Sequence, residues 1–325
     1  MKEGTSESFN NWHNLSYSAS DESVYEQICE IVDVDEFVNY MAMQLFLGGD
    51  DWPGNNCKAF KGHDGKFHVV LFDIDQALRF DGTALTRLSG FRSCPLIDIF
   101  FNMMENDKFR KQFVDTYCLI GGSVFEETRS TEIINRMSAE MNPALSIEGL
   151  STSPTAEYMK AVLTYKRCIT MMEALYNWRY AQISGEEMYK VKFGANIEDA
   201  KLQVNGLDVP TGNFNGALFA PAVLKASAPN GYVFGGWKNG QGIVVSKSEN
   251  LNLASLAESD FQNGIVVLEA VYERMTTDEQ MKNALAMPVK VNEISAGNTV
   301  FAGETWKRSD WIELYNPTET DIDVA

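Results

Sequence analysis

The sequence predicts a mixed α+β protein in which a helical part is followed by two β-rich parts. Up to about residue 184, apolar residues recur at helical spacing, with one strand–turn–strand segment between helices. Residues 185–275 contain short alternating segments broken by Gly, Pro and Asn, which are typical of a small antiparallel β domain. A β pattern restarts at residue 289, after the polar linker 276–288, and runs to residue 325. We therefore expect several domains.

The helical prediction is clearest in the segment DVDEFVNYMAMQLFLGG. Its apolar residues at 34, 37, 38, 41 and 45 form the stripe of a helix that faces a core. Asp33 followed by Glu36 predicts a capping box, and Gly48 with Gly49 predicts a left-handed helix end. Further helices are predicted in CPLIDIFFNMMENDKFRKQFVDTYCLI, TEIINRMSAEMNPAL and EYMKAVLTYKRCITMMEALYNWRYAQI.

One β-hairpin interrupts the helices. The segments CKAF and KFHVVLF are strand-like, and the Asp64-Gly65 pair between them predicts a two-residue turn. His63 and His68 flank this turn and have no partners at the spacing of metal ligands. We therefore interpret both histidines as strand or turn residues.

Composition limits the classes of function. The formal net charge is -18, which disfavours binding to nucleic acid or to an anionic membrane and favours solubility alone or cation binding. No segment approaches the roughly 20 apolar residues of a membrane span, and the first residues lack the apolar core of a secretory signal. The cysteines include no CxxC pair, so buried free thiols are expected rather than a disulfide framework or a zinc site.

Acidic and amide side chains concentrate between the first predicted long helix and the end of the hairpin. Asp51 and Asn56 have the spacing D-x-x-x-x-N just after the helix, and the second strand runs out at Asp73, with Asp75 two residues further on. This order of elements is that of the catalytic half of a protein kinase. Mg²⁺ prefers such oxygen ligands, but an acidic surface turn remains the alternative. A calcium loop is disfavoured because DDWPGNN lacks EF-hand spacing.

The segments DDW at 50–52, NN at 55–56 and FDID at 72–75 resemble the signature of the CotH kinase family, the spore-coat protein H type of atypical kinase. The resemblance covers about residues 9–184 and implies a mostly helical, protein-kinase-like C-lobe. It implies that Asp51 is catalytic and that Asn56 and Asp73 bind metal, with Asp75 as the alternate ligand. The implied cofactors are ATP and Mg²⁺, or Mn²⁺ in its place.

Two residues beside these are further candidates. Asp50 can take the place of Asp51, because the register of GGDD is ambiguous by one residue, and Asn55 adjoins Asn56. The chain departs from the family pattern at Phe72, where Trp is usual, and in QALRF, which lacks the glycine that often follows. No glycine-rich hairpin and no strand lysine precede residue 33, so we expect the N-lobe to be absent and this piece of the parent protein to be inactive.

The resemblance implies a kinase that phosphorylates Ser or Thr of secreted or surface proteins in bacteria. The alternative is a non-catalytic surface protein that uses a degenerate kinase-like scaffold for adhesion or carbohydrate binding.

VLKASAPNGYVFGGWKNG is similar to bacterial surface β repeats, in which Tyr232, Phe234 and Trp237 would be core or near-core aromatics. VNEISAGN and SDWIELYNPTETDIDV are similar to the opening strands of a lamin-tail domain, an immunoglobulin-like sandwich, which ends here before it is complete. Such β modules imply carbohydrate or protein partners.

Overall fold

The computed structural model describes residues 6–49, 51–78, 88, 90–167, 188–278, 289–295 and 311–317. The chain divides into two compact units. The first comprises Met1–Pro229 and Phe234–Tyr272, and the second comprises Asn230–Val233 and Glu273–Ala325. The mixed α+β class predicted from the sequence is confirmed.

The described part of the first unit contains seven α-helices. They are α1 Glu7–Ser16, α2 Glu22–Ile31, α3 Val34–Leu47, α4 Pro95–Met103, α5 Asp107–Leu119, α6 Glu127–Ile147 and α7 Ser153–Lys166, with a π-helical turn Ile120–Val124 that extends α5. The predicted helices are thus present, except that residues 168–183 of the last predicted segment lie outside the described residues.

The stripe predicted for α3 faces the core. All five of its members are at most 8% exposed: Val34, Phe37, Val38, Met41 and Leu45. Full burial of such side chains contributes about 1.5–3 kcal/mol each, relative to leaving them in water. The stripe therefore fixes which face of α3 packs inward.

The caps of α3 differ in part from the prediction. The Asp33 carboxylate accepts a hydrogen bond from the backbone N–H of Glu36, and Gly48 ends the helix at φ +64°, as predicted. The reciprocal half of the capping box is replaced, because the backbone N–H of Asp33 bonds to the carbonyl of Phe67. The Glu36 carboxylate instead accepts a hydrogen bond from the backbone N–H of Val69. The start of α3 is thereby tied to the hairpin.

An aromatic cluster joins α1, α3, α4 and α5. The ring of Phe37 contacts Trp12 at 5.3 Å and Phe109 at 6.0 Å, and Phe100 contacts Phe113 at 5.1 Å between ring centres. All five side chains are at most 1% exposed. Aromatic pairs in such tilted and edge-on arrangements add about 0.5–1.5 kcal/mol beyond their burial, so this cluster is the centre of the helical core.

The hairpin consists of β1 Ala59–Lys61 and β2 Phe67–Val69. The turn lies where it was predicted, with Gly65 at φ +83°. Its loop is one residue longer than expected, because the backbone N–H of Gly62 still bonds to the carbonyl of Lys66 and leaves three residues between them. A three-residue loop with a left-handed glycine is the next most common hairpin after the two-residue type.

Residues 188–274 form two sheets. One has the order β6-β3-β12-β8-β9, with β11 beside β12, and the other has the order β10-β7-β4-β5. The strands are β3 Met188–Ala195, β4 Lys201–Val204, β5 Leu207–Asp208, β6 Phe214–Phe219, β7 Val223–Ser227, β8 Tyr232–Asn239, β9 Val244–Ser246, β10 Asn250–Asn252, β11 Phe261–Gln262 and β12 Ile265–Arg274.

The expectation of an antiparallel domain needs one correction. Strands β3 and β12 pair in parallel, whereas β3 with β6 and β4 with β7 are antiparallel. A parallel pair needs a long connection between its strands, and the chain from β4 to β11 provides it.

The predicted aromatics behave as expected, since Trp237 is fully buried and Phe234, which is partly exposed, packs edge-on against it. Tyr232 is likewise partly exposed.

The helical and β-rich parts of the first unit are in direct contact. Gly122 in the π-helical turn lies against the ring of Phe214, so close that an added Cβ would be 2.4 Å from Cε2. The hydroxyl groups of Ser123 and Thr211 are hydrogen-bonded at 2.8 Å.

The domain boundaries at 184/185, 275/276 and 288/289 stay predictions, and residues 168–187 and 279–288 lie outside the described part.

In the second unit, β13 Lys290–Ser295 and β14 Trp311–Tyr315 form an antiparallel ribbon. The side chain of Asn292 donates a hydrogen bond to Glu313 across it. These two segments, in which the sequence predicts β structure, are thus strands.

Candidate functional site

The candidate site begins where the chain leaves α3. Gly48 turns the chain at φ +64°, and the ammonium group of Lys166 lies directly over it, since an added Cβ would be 2.8 Å from Nζ. Lys166 comes from α7 and is only 2% exposed. A cation at a helix C-terminus is favoured by the partial negative charge of its carbonyl groups. Lys166 therefore helps to set the starting point of the loop that follows.

Trp52 anchors this loop in the core. The peptide bond between Trp52 and Pro53 is cis, and the indole N–H donates a 2.8 Å hydrogen bond to the hydroxyl of Tyr40 on α3. Both side chains are 4% exposed. Because a buried hydrogen-bonding group is costly to leave unpaired, this contact restricts the positions that the neighbouring Asp51 can occupy.

Asp51 and Asn56 are brought together. The amide Nδ2 of Asn56 donates a 2.7 Å hydrogen bond to Oδ2 of Asp51, and the backbone N–H of Asn55 bonds to the Asp51 carbonyl at 2.7 Å. Asn56 adopts a left-handed conformation at φ +56°, which asparagine tolerates better than most residues. With Nδ2 directed at Asp51, the carbonyl oxygen of the same amide is directed elsewhere and keeps its capacity as a ligand.

The segment with Asp73 and Asp75 starts at the open end of the hairpin. The backbone N–H of Val70 bonds to the carbonyl of Lys58, so the two strands remain adjacent up to the residues that precede Asp73. The Lys58 ammonium group lies 3.9 Å from the centre of the Phe72 ring. Asp73, at φ +54°, and Asp75 are both exposed.

This segment then returns to the end of α3. The backbone N–H of Leu78 donates a 2.8 Å hydrogen bond to the carbonyl of Leu47, the last residue of the helix. The loop with Asp51 also starts there, so both candidate segments are attached to the same helix end. Asp50, the other candidate, lies outside the described residues.

The three candidate carboxylates do not form a compact cage. In the part of the chain that is described, three carboxylate, imidazole or thiolate ligands approach within 4.8 Å of one another only at Asp33, Glu36 and His68. Asp51, Asp73 and Asp75 thus lack the spacing of three ligands on one ion. One carboxylate with one amide oxygen, completed by phosphate and water, is a donor set that suits Mg²⁺, and Asp73 and Asn56 are residues of these two donor types.

The cluster at the start of α3 has a structural explanation. His68 Nδ1 lies 2.6 Å from the Glu36 carboxylate and His68 Nε2 lies 3.0 Å from Asp64. The Glu36 carboxylate, followed by Asp64, raises the pKa of His68 above its ordinary value of 6.5. These contacts connect the hairpin to α3 and involve both ring nitrogens of His68.

Two cysteines adjoin the candidate loop. Cys57 follows Asn56 directly, and its sulfur lies 3.9 Å from that of Cys94, which precedes α4. The hydrogen bond with the Cys57 thiol lowers the pKa of Cys94 to about 6, and the backbone N–H groups of Ile97 and Leu96 act in the same direction. Tyr40 also hydrogen-bonds Cys57, so the loop is held from both α3 and the start of α4.

Sequence reasoning missed the residues that hold the loop in place. Tyr40 and Lys166 lie in helices that contain other polar residues, and Cys57 and Cys94 are 37 residues apart. Buried lysines are rare, but the sequence does not distinguish Lys166 from Lys160 of the same helix. The cysteines carry no spacing signal, since their proximity depends on the packing of α4 against the loop.

In the comparison with protein families, the model of the family described as CotH kinase protein matches residues 1–178. This is more than half of the 325 residues, and the chain belongs to the CotH kinase family. Comparisons with curated proteins and with solved structures gave no match.

The helical part with its hairpin is therefore a CotH-like kinase scaffold. Kinases in general use ATP and a divalent metal ion. None of the helices in the described ranges has both the length and the apolar character that crossing a bilayer requires.

Proposed function

We propose that this protein is a CotH-type kinase that transfers the terminal phosphoryl group of ATP to Ser or Thr of a secreted or cell-surface protein. The observation that carries the proposal is the 2.7 Å hydrogen bond between Asn56 and Asp51 in a chain of this family. The pair has the D-x-x-x-x-N spacing and follows the helix, as in the catalytic loop of protein kinases.

Asp51 is assigned to orient the acceptor hydroxyl and to accept its proton at Oδ1. Asn56 holds the other carboxylate oxygen, and the buried Trp52 next in sequence restricts the backbone. A carboxylate fixed in this way keeps one oxygen in a constant direction, which is what positioning a nucleophile requires.

Asn56 and Asp73 are assigned to hold Mg²⁺ or Mn²⁺, with Asp75 as the alternate ligand and Asp50 and Asn55 as additional candidates. The support is chemical and topological, because both segments are attached to the end of α3 and both supply oxygen ligands. The bound metal ion would neutralise charge that develops on the phosphate oxygens. The amide of Asn56 supplies an oxygen without adding negative charge, which limits repulsion of the polyphosphate.

The finer architecture belongs to the same proposal. We assign the helical part to a kinase C-lobe, residues 185–275 to a surface-repeat-like module and residues 289–325 to the opening of a lamin-tail-like sandwich. Secretion or display on a bacterial surface is consistent with this order of modules. Such β modules would bring the kinase to protein or carbohydrate partners.

The test measures phosphate transfer from ATP labelled at the γ position in the full-length protein, with autophosphorylation and Ser- and Thr-containing peptides as acceptors. We expect Asp51→Asn to lower the rate by about 100-fold or more, the usual contribution of a catalytic base, with nearly unchanged Mg²⁺-ATP binding. Asp73→Asn should weaken Mg²⁺-ATP binding by about tenfold or more, because the site loses a charged ligand.

Asp64→Asn is the matched control, because Asp64 is an exposed aspartate at the opposite end of the same hairpin. It should retain both rate and binding. Wild-type labelling by Asp51→Asn and Asp73→Asn, in folded protein, would overturn the assignment of these residues. Absence of Mg²⁺-dependent ATP binding in the full-length wild type would instead indicate a scaffold without catalysis.

A further inference from the structure

The thiols of Cys57 and Cys94 lie close together in the folded chain. The two sulfur atoms are 3.9 Å apart, close to van der Waals contact, and both side chains are partly exposed. Cys57 lies between Asn56 and β1, whereas Cys94 lies immediately before α4. Two thiols held this close in a folded chain need only a further approach of about 2 Å to reach the S–S bond length.

The position of Cys94 favours reaction with a disulfide reagent. It occupies the N-cap position of α4, where the partial positive charge of the backbone N–H groups stabilises a thiolate. The hydrogen bond with the Cys57 thiol, and then the backbone N–H groups of Ile97 and Leu96, lower the pKa of Cys94. The thiolate is the nucleophile in thiol–disulfide exchange, and partial exposure gives a small reagent access to it.

We propose that Cys57 and Cys94 are a redox modification site and that a low-molecular-weight disulfide such as oxidised glutathione converts them to a disulfide. The Cys94 thiolate attacks one sulfur of the reagent, which forms a mixed disulfide and releases one reagent thiolate. The Cys57 thiol then loses its proton and attacks the Cys94 sulfur, and the second reagent thiolate leaves. Two protein thiols are oxidised, and the reagent is reduced to two thiols, which take up the two protons.

The disulfide closes a loop that contains the whole hairpin and the Asp73 segment. It also ties the residue after Asn56 to the start of α4, in addition to the existing contact between Trp52 and Tyr40. Oxidation therefore restricts the motion of residues 58–78 without chemically modifying any candidate ligand. This inference does not depend on the proposed kinase activity.

The test uses the full chain incubated in oxidised glutathione, blocked with N-ethylmaleimide and digested without reduction. We expect the intact mass, measured before blocking, to fall by about 2 Da, since two thiol hydrogens are lost, and the digest to contain a cross-linked peptide with Cys57 and Cys94. Cys29, which is also partly exposed, should be alkylated instead. A Cys29→Ser variant should form the same cross-link, and Cys94→Ser should not.

Hydrogen exchange is the second measurement, because it needs no substitution. Amides of residues 58–78 should exchange more slowly in the oxidised protein and return to the original rate after dithiothreitol. The proposal is overturned if Cys57 and Cys94 are both alkylated after oxidation of protein that keeps its native circular dichroism. It is equally overturned if either pairs with a different cysteine.

Discussion

Replacement of Asp98 by asparagine tests how α1 is attached to the helical core. The Asp98 carboxylate on α4 accepts hydrogen bonds from Tyr17 at 2.7 Å and from Arg92 at 2.7 Å, and it lies 2.9 Å from His13 Nε2. Its side chain is only 11% exposed. One carboxylate thus connects the end of α1 with the loop before α4.

The expected loss follows from the number and type of these contacts. Hydrogen bonds to a charged group contribute about 1.5–3 kcal/mol each, but an asparagine side chain can keep some of them and the Arg92 side chain, 45% exposed, can return to water. We therefore expect Asp98→Asn to lower the free energy of unfolding by about 2–4 kcal/mol. This corresponds to a fall in Tm of roughly 5–12 °C.

The pKa of Asp98 gives the same prediction a pH signature. Burial alone would raise this pKa, but hydrogen bonds from His13, Tyr17 and Arg92 outweigh it and lower the value to about 2, from 3.8. A carboxylate whose pKa is lowered in the folded state stabilises the protein at pH values above its pKa in the unfolded chain. This contribution is lost as the pH falls through the folded-state pKa. Wild-type stability should therefore drop between pH 4 and pH 2 more steeply than that of Asp98→Asn.

Urea unfolding followed by circular dichroism measures both effects. Asp107→Asn is the control, because Asp107 pairs with Arg110 but its own side chain is 88% exposed. Ion pairs of exposed carboxylates contribute about 0–1 kcal/mol. A loss for Asp98→Asn no larger than that of the control, or the same pH dependence as wild type, would refute the reasoning.

Three further predictions concern other contacts. Gly122→Ala should cost about 1–3 kcal/mol in urea unfolding, because the added methyl group meets a phenylalanine ring of β6 at 2.4 Å; an unchanged midpoint would contradict this packing. Tyr40→Phe removes the acceptor of the Trp52 indole N–H and should cost about 1–3 kcal/mol, seen as an earlier transition in tryptophan fluorescence. The Glu36 carboxylate raises the pKa of His68 in the folded state above 6.5, so protonated His68 stabilises the hairpin. Hydrogen-exchange protection of β2 should therefore be complete below pH 6.5 and should decline as the pH rises through the folded-state pKa of His68. The variant His68→Gln should lose that pH dependence, and a retained dependence would exclude this histidine as its cause.

The parts of the fold that were predictable are those with local causes. The stripe of α3 repeats every three or four residues, so its buried face follows from helix geometry alone. Asp33 and Gly48 act within one turn of their own backbone, and their roles as caps were readable from identity and position. The turn at Gly65 was likewise located correctly, although its length was not.

The contact between Asp51 and Asn56 also has a local cause. Asp51 and Asn56 are five residues apart, and the contact between them is made within one loop. The attachment of Leu78 to the carbonyl of Leu47 depends on how the hairpin folds back on α3, and no residue type in either segment signals it.

The sequence by itself determined the helices, the hairpin, the change to β structure and the short-range pair Asp51–Asn56, because each depends on residues close together in the chain. Only the tertiary structure decided the parallel pairing of β3 with β12, the position of Lys166 over Gly48 and the approach of Cys57 to Cys94. Those contacts join residues far apart in the chain, and their positions are set by the packing of whole elements, which no local pattern encodes.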